Sequence, residues 1–301
     1  MRVLIIGCGY VGLPLGAELA RQGHEVFGIR RTPETAELNA AGIKPIVGDI
    51  THPGFLALLP PDFDWVVNTI SSSRGSVEDY RSVYFEGTRR LIEWLQRDSR
   101  PGRYIHASST SVYGQTDGSL VTEESRAEPA SPTGQVLVDT ERLLLEEARQ
   151  GWPAIILRLA GIYGPGRGHL FRQLLRGEAR LAGDGSRIIN MIHRDDVVGA
   201  IVAALERGGP GEIYNVVDDE PAAEREFFGW LCEQLGRSLP PPASAIELAA
   251  RKRGFTSKRV SNRKLRLALA CELKYPTFRQ GYAADIAGSM EPGRSPGADA
   301  V

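Results

Sequence analysis

The apolar run Val3-Leu-Ile-Ile6 passes directly into Gly7-Cys-Gly-Tyr-Val-Gly12, after which residues 13–21 take up helical periodicity. A glycine triplet at this spacing, between a buried strand and a helix, leaves few folds open. The first glycine permits a tight turn and the second lets a pyrophosphate lie against the backbone. The third lets the helix pack closely on the strand, with the phosphates at the helix N-terminus. Gly7, Gly9 and Gly12, with Tyr10 and Val11 between them, are the first candidates for holding a dinucleotide.

Residues 24–29 read as a second strand that ends at Arg30 and Arg31, with a helix beginning at Thr32 and Pro33. An enzyme selective for the unphosphorylated ribose places an acidic residue near Arg30. Two guanidinium groups instead suit a ribose 2′-phosphate. The expected cofactor is NADP, with NAD as the alternative and a solvated arginine pair as the plain reading. Residues 45–49 form a third strand ending at Asp49, which either accepts from an adenine amino group or caps a turn. The fourth strand, 64–68, delivers Thr69, Ile70 and Ser71 beside the cofactor. Residues 79–97 form a long amphipathic helix whose Tyr80, Tyr84 and Trp94 are packing positions. The fifth strand, 103–107, brings Ala107 and Ser108 to the same edge, and 118–132 has the composition of a loop. Ser131 caps and Pro132 opens the helix 133–150, and 153–159 is the sixth strand.

This alternation predicts an α/β fold: a Rossmann-type doubly wound parallel sheet with a smaller C-terminal substrate-binding lobe. Residues 1–165 form the dinucleotide-binding core, to which 189–217 adds a strand and a helix. Residues 166–188 and 218–288 form the smaller lobe. Within these, 169–176, 195–207 and 222–235 read as helices, the second capped by Asp195 or Asp196, and 187–193 and 212–217 read as strands. Residues 289–301, rich in Gly, Pro, Ser and Ala, are expected to be a disordered tail.

The chain has 301 residues, 36 Lys and Arg against 37 Asp and Glu, and a net charge of −1, so its bulk charge does not mark a nucleic-acid or membrane surface. Eight cations do cluster within 251–266, namely Arg251, Lys252, Arg253, Lys258, Arg259, Arg263, Lys264 and Arg266. They fit either a substrate diphosphate or a solvated surface, and no interleaved aromatics accompany them. Cys8, Cys232 and Cys271 are scattered without metal-ligand or disulfide spacing, which fits a reducing cytoplasm. The start carries no cationic leader with a cleavable apolar segment, and no apolar run reaches the length of a membrane span. No metal site is expected.

Four further segments carry a resemblance. They are Ser108-Ser-Thr-Ser-Val-Tyr-Gly114, Arg158-Leu-Ala-Gly-Ile-Tyr-Gly-Pro-Gly166, Ile192-His-Arg-Asp-Asp-Val197 and Ile213-Tyr-Asn-Val216. With the glycine motif, the chain resembles the extended short-chain dehydrogenase/reductase superfamily, in its nucleotide-sugar epimerase and dehydratase group. The resemblance implies a nicotinamide cofactor, a small-molecule substrate such as a nucleotide sugar, and a homodimer formed through the helices 79–97 and 133–150. Standard members carry a Tyr, a Lys four residues later and often a Glu four beyond that. With the Glu at Glu141, Thr133 stands at the Tyr position and Leu137 at the Lys position. An aliphatic hydroxyl is a far weaker acid than a phenol, and Leu137 has no charge to tune a neighbour. The chain is similar to a subset lacking this pair, which also carries elements like those at Lys258 to Asn262 and Tyr275 to Gly281.

The candidate catalytic residues are therefore Ser109 and Thr110, as hydroxyl donors to a carbonyl, and Tyr113. Tyr163, His193, Glu123 and Glu124 stand behind them, each with a packing, capping or solvated role as its plain reading, and His106 reads as a satisfied core histidine. Three functions follow: hydride transfer on a sugar nucleotide or another small hydroxyl or carbonyl compound, a non-catalytic NADP-binding sensor or structural protein, or a carboxylate-based lyase or isomerase with a structural nucleotide.

Overall fold

A computed structural model of the chain describes residues 1–289 apart from 53, 61, 73, 74, 99, 245 and 248–254. The tail from 290 and the cations Arg251, Lys252 and Arg253 lie outside the described residues. Strands β1 (Arg2–Ile6), β2 (Glu25–Arg30), β3 (Ile43–Val47), β4 (Trp65–Asn68), β5 (Arg103–Ser109), β7 (Ala154–Leu159) and β11 (Ile213–Val216) make one parallel sheet. Its order is β11-β7-β5-β4-β1-β2-β3, so the chain reverses direction between β1 and β4. Carboxyl ends of strands flank a crevice at such a switch point.

Strand β1 shows why the sheet is buried on both sides. Its side chains alternate: Val3 and Ile5 enter one core with Leu15 and Leu19 of α1 (Gly12–Arg21) and Val197 and Ile201 of α7 (Arg194–Arg207). Leu4 and Ile6 enter the other, with Leu91 and Trp94 of α4 (Gly87–Asp98) and Leu144 of α5 (Pro132–Arg149). A strand hydrophobic at every position needs cover on both faces, and the helices supply it. Ser131 caps α5, its Oγ accepting from Gly134 N at 3.1 Å, with Pro132 in the first turn.

Several local expectations are corrected. The helix expected at Thr32 and Pro33 starts later, as α2 (Ala36–Ala40). The helix expected over 79–97 begins as α3 (Val77–Tyr80), passes through a π turn (Arg81–Glu86) and continues as α4. The loop expected over 118–132 contains β6 (Leu120–Val121), which pairs with β13 (Arg259–Val260). The stretch 187–193 divides at Asn190 into β9 (Ile188–Ile189) and β10 (Met191–His193), because Asn190 turns its side chain to the backbone of Lys258 and Val260. Helix α7 is capped not by Asp195 or Asp196 but by His193, whose Nδ1 accepts from Asp195 N at 3.1 Å.

Most of the remaining elements form the smaller lobe, whereas Val260, Leu265, Leu269, Cys271 and Leu273 pack in the core of the sheet. Strand β8 (Gly161–Tyr163) pairs with β10, and β12 (Ala222–Ala223) pairs with β9 ahead of α8 (Glu224–Leu235). Helices α6 (His169–Leu175), α8 and α10 (Phe278–Ser289) enclose an aromatic core of Phe171, Phe227, Phe228, Phe278, Tyr163 and Tyr282. Short helix α9 (Arg263–Ala268) lies against β11. No helix among the described residues is long and apolar enough to cross a membrane. All three cysteines are buried and free.

Candidate functional site

The carboxyl ends of β1, β2, β4, β5 and β7 surround a cleft of about 500 Å³. Its phosphate half is made of backbone. Gly7 has φ +88°, and a Cβ there would lie 2.8 Å from Ile70 N. A Cβ on Gly12 would sit 2.6 Å from Gly7 O, so only glycine lets α1 close on the β1 turn. Gly9, by contrast, would place a Cβ in open space, which leaves bare backbone facing the cleft. No side chain caps α1, so its positive end stays available to an anion. This geometry fits a pyrophosphate.

At the β2 end, Arg30 and Arg31 line the cleft. Arg30 Nε donates to Thr32 Oγ1 at 2.9 Å, and its guanidinium lies 3.9 Å from Glu37. Asp49 accepts from Thr51 N at 2.8 Å and Thr51 Oγ1 at 2.7 Å, so its carboxylate closes a turn at the cleft wall. Partial burial opposes its charge, but these bonds and the Arg31 charge outweigh it and hold the carboxyl below its ordinary value. Tyr10 lies under two guanidinium groups, Arg167 at 4.8 Å and Arg194 at 5.4 Å from its ring. Burial pushes its phenol up to about 12. Burial likewise raises the Cys8 thiol to about 12, keeping it neutral beside the phosphate turn.

The other half is made of side chains. Ser109 ends β5 and accepts from Ser111 N at 3.2 Å, and Ser109, Ser111, Thr133 and Leu137 all face the cleft. The positions where the family carries its Tyr and Lys thus do meet Ser109 across one space, and they hold a hydroxyl and an isobutyl group. Tyr80, Val83 and Tyr84 form the facing wall, the two tyrosine rings 5.0 Å apart. Their assignment as core packing alone is corrected. A π turn holds one residue more per hydrogen-bonded ring than an α turn and re-phases the side chains around it. Val83 and Tyr84 lie in that turn, Tyr80 just before it, and both tyrosines touch the core as well as the cleft.

Of the residues expected to hold the cofactor, Gly7, Gly9, Tyr10, Val11, Arg30, Arg31, Asp49, Thr69, Ile70, Ser71, Ala107 and Ser108 line the cleft, while Gly12 supports it from behind. Of the catalytic candidates, Ser109 does, whereas Thr110 and Tyr113 are turned into the protein. Tyr113 is fully buried and its hydroxyl lies 2.7 Å from Arg158 Nη1, 2.9 Å from Asn215 Oδ1 and 3.0 Å from Thr122 O. It belongs to a buried network in which Arg158 forks onto Glu141, with contacts at 2.6, 3.1 and 3.2 Å, and Ser108 Oγ donates to Glu141 at 2.6 Å. Tyr163 is buried against Tyr282, rings 4.4 Å apart. His193 is likewise enclosed, and burial lowers it to about 4.

Two plain readings also change. Glu123 is not a solvated loop charge, since its carboxylate accepts from Asn215 N at 2.7 Å. His106 is buried but not satisfied: neither ring nitrogen has a hydrogen-bond partner among the described residues, and burial lowers its pKa to about 4. Of the cationic run, Arg259 donates to Gly118 O, Lys264 pairs with Glu212 and Arg266 with Asp219, so these charges are engaged locally. Arg167 and Ser111 were missed. The Gly164-Pro-Gly166 turn after β7 was the available signal for the first, because it sits at a strand's carboxyl end.

Residues 3–216 match the NAD dependent epimerase/dehydratase family. The chain belongs to that family. It is 30% identical to Protein YeeZ of Escherichia coli over 290 residues, covering 91% of this chain and 96% of that protein. It is 26% identical to a 3-diazoavenalumate denitrifying reductase of a Streptomyces species, over 93% of this chain and 99% of the relative. The solved structure of MoeE5 in complex with UDP-glucose and NAD superposes with a TM-score of 0.79 at 26% identity, covering 95% of this chain and 98% of that one. The family's dinucleotide is of the NAD(P) type, and the glycine cradle described above fits it.

Proposed function

We propose that the protein is an NADP-dependent oxidoreductase acting on a hydroxyl or carbonyl carbon of a sugar nucleotide or another small substrate, with acid/base residues unlike those of its standard relatives. The observation that carries this reading is the single cleft joining the Gly9 cradle and Arg30 and Arg31 at one end to Ser109 at the other. When bound, the nicotinamide would supply reversible hydride chemistry. Gly7, Gly9 and the uncapped end of α1 would hold the pyrophosphate, and Arg30 and Arg31 a ribose 2′-phosphate. Ser109 would donate to the substrate oxygen and stabilise charge developing there. MoeE5, with UDP-glucose and NAD, supports the nucleotide-sugar form of the reading, and the Streptomyces reductase supports a wider range of reducible groups.

Calorimetric titration with NADP+ and NAD+ tests the cofactor, with NADP+ expected to bind at least about tenfold tighter. Equal affinity would return Arg30 and Arg31 to the role of solvated charges. Absorbance at 340 nm with UDP-glucose, UDP-glucuronic acid and small carbonyl compounds tests turnover. Tight binding with no nicotinamide oxidation or reduction across that panel would leave a non-catalytic NADP-binding protein. The proposed dimer through α4 and α5 would pair largely polar surfaces, since Arg89, Glu93, Arg142 and Glu146 are their exposed positions. Sedimentation as a monomer at micromolar concentration would set it aside.

A further inference from the structure

The reaction half of the cleft combines an aromatic and aliphatic surface with small hydroxyls. Tyr80, Val83, Tyr84 and Leu137 line the same space as Ser109. The tyrosine rings lie 5.0 Å apart, tilted by 44°, and both line the cleft, where an aromatic pair can meet a planar ring by offset stacking or edge-on. The polar side chains beside them include Ser71, Ser72, Ser109, Ser111, Ser131 and Thr133, all small hydroxyls. Three cations of the lobe are engaged locally, Arg187 with Glu224, Arg266 with Asp219 and Arg279 with Glu220, while Arg167 lines the cleft over the Tyr10 ring.

We propose that this site takes a planar, conjugated carbonyl compound of the quinone class, its ring against Tyr80 and Tyr84 and its oxygen at Ser109. The proposal rests on the NADP-dependent reading above and narrows its substrate. The absent Tyr/Lys pair then has a chemical explanation. Reduction of a simple ketone leaves a localised alkoxide that must be protonated as it forms, which is the work of a phenol. Reduction of a quinone adds one hydride, given by reduced nicotinamide, and its two electrons enter the ring. One oxygen gains the O–H bond, the other becomes a delocalised hydroquinone anion, and water supplies the second proton afterwards. Nicotinamide is oxidised, quinone is reduced, and no side chain has to act as a strong acid. Thr133 and Leu137 suffice.

The test uses the full chain with saturating NADP+ and menadione as the probe, read by equilibrium binding, followed at 340 nm by oxidation of bound NADPH with menadione and by reduction of bound NADP+ with UDP-glucose. Menadione is expected to bind saturably and to oxidise NADPH, while UDP-glucose neither binds nor reduces NADP+. Tyr80→Leu and Tyr84→Leu should each weaken menadione binding about tenfold, an aromatic contribution of the usual size. Tyr80→Phe and Tyr84→Phe, which keep the ring and remove the hydroxyl, should bind menadione more tightly than the Leu variants and still oxidise NADPH with it. If NADPH binds but menadione neither binds nor oxidises it, the proposal is wrong while the cofactor reading stands. If no nicotinamide nucleotide binds, both fall together. Loss of turnover in either Phe variant would make a phenol the proton donor and overturn the proposal, as would competition by UDP-glucose for the menadione site. Equal menadione binding by the Leu variants would do the same.

Discussion

The two halves of the cleft are built from different materials. The phosphate half is backbone: a left-handed Gly7, an open Gly9 and a Gly12 in contact with Gly7 O. Glycine alone satisfies Gly7 and Gly12 without displacing backbone. The reaction half is side chains on β5, α5 and the π turn, held from beneath by the Glu141–Arg158–Tyr113 network. A surface of side chains can change its chemistry without changing the fold, and here Thr133 and Leu137 have done so. The support beneath them has not followed: Glu141 remains, where it pairs with a buried arginine rather than touching substrate.

Replacing Glu141 with Ala tests that division most severely. It would leave the Arg158 guanidinium buried and unpaired, and chemical denaturation should show a loss of about 3–5 kcal/mol. A loss below about 1 kcal/mol would mean that Tyr113 alone satisfies Arg158. Acid should also strain this half. His106 titrates near 4 when folded and near 6.5 in the unfolded chain, so between those values the unfolded state binds more protons and stability falls as pH drops. The decline should be on the order of 3 kcal/mol from pH 6.5 to 4, complete below the folded value. His106→Leu should lessen that slope, the remainder coming from His193, which burial also lowers to about 4, and an unchanged slope would assign the acid sensitivity away from His106.

The phosphate half responds to charge instead. Arg30→Ala with Arg31→Ala should cost NADP+ roughly 1.5–3 kcal/mol of affinity and NAD+ far less. An equal loss for both nucleotides would show that the pair does not read the 2′-phosphate. Thr133→Ala should change least, with stability altered by under about 0.5 kcal/mol and turnover by under about threefold. A large loss of turnover at constant NADP+ affinity would identify Thr133 as a proton donor after all.

The strand–helix alternation, the glycine cradle and the cations at the end of β2 were legible in order along the chain, because each depends on local periodicity or on one residue's conformational freedom. The same is true of the missing pair, since an absent functional group is visible without coordinates. Tertiary structure decided the rest. Tyr80, at the end of α3, and Tyr84, in the π turn, share a helical spacing with core residues, and only the tertiary packing shows that they also line the cleft. Tyr113 sits four residues beyond the cleft serine Ser109, Thr110 next to that serine points away from the cleft, and burial against Arg158 and Asn215 settles the role of Tyr113. Arg167 comes from a different segment and reaches the site only because β7 ends beside β5. Backbone-defined chemistry is written locally in a chain like this one. Chemistry made by side chains from distant segments depends on which way each one faces, and that orientation is fixed by packing.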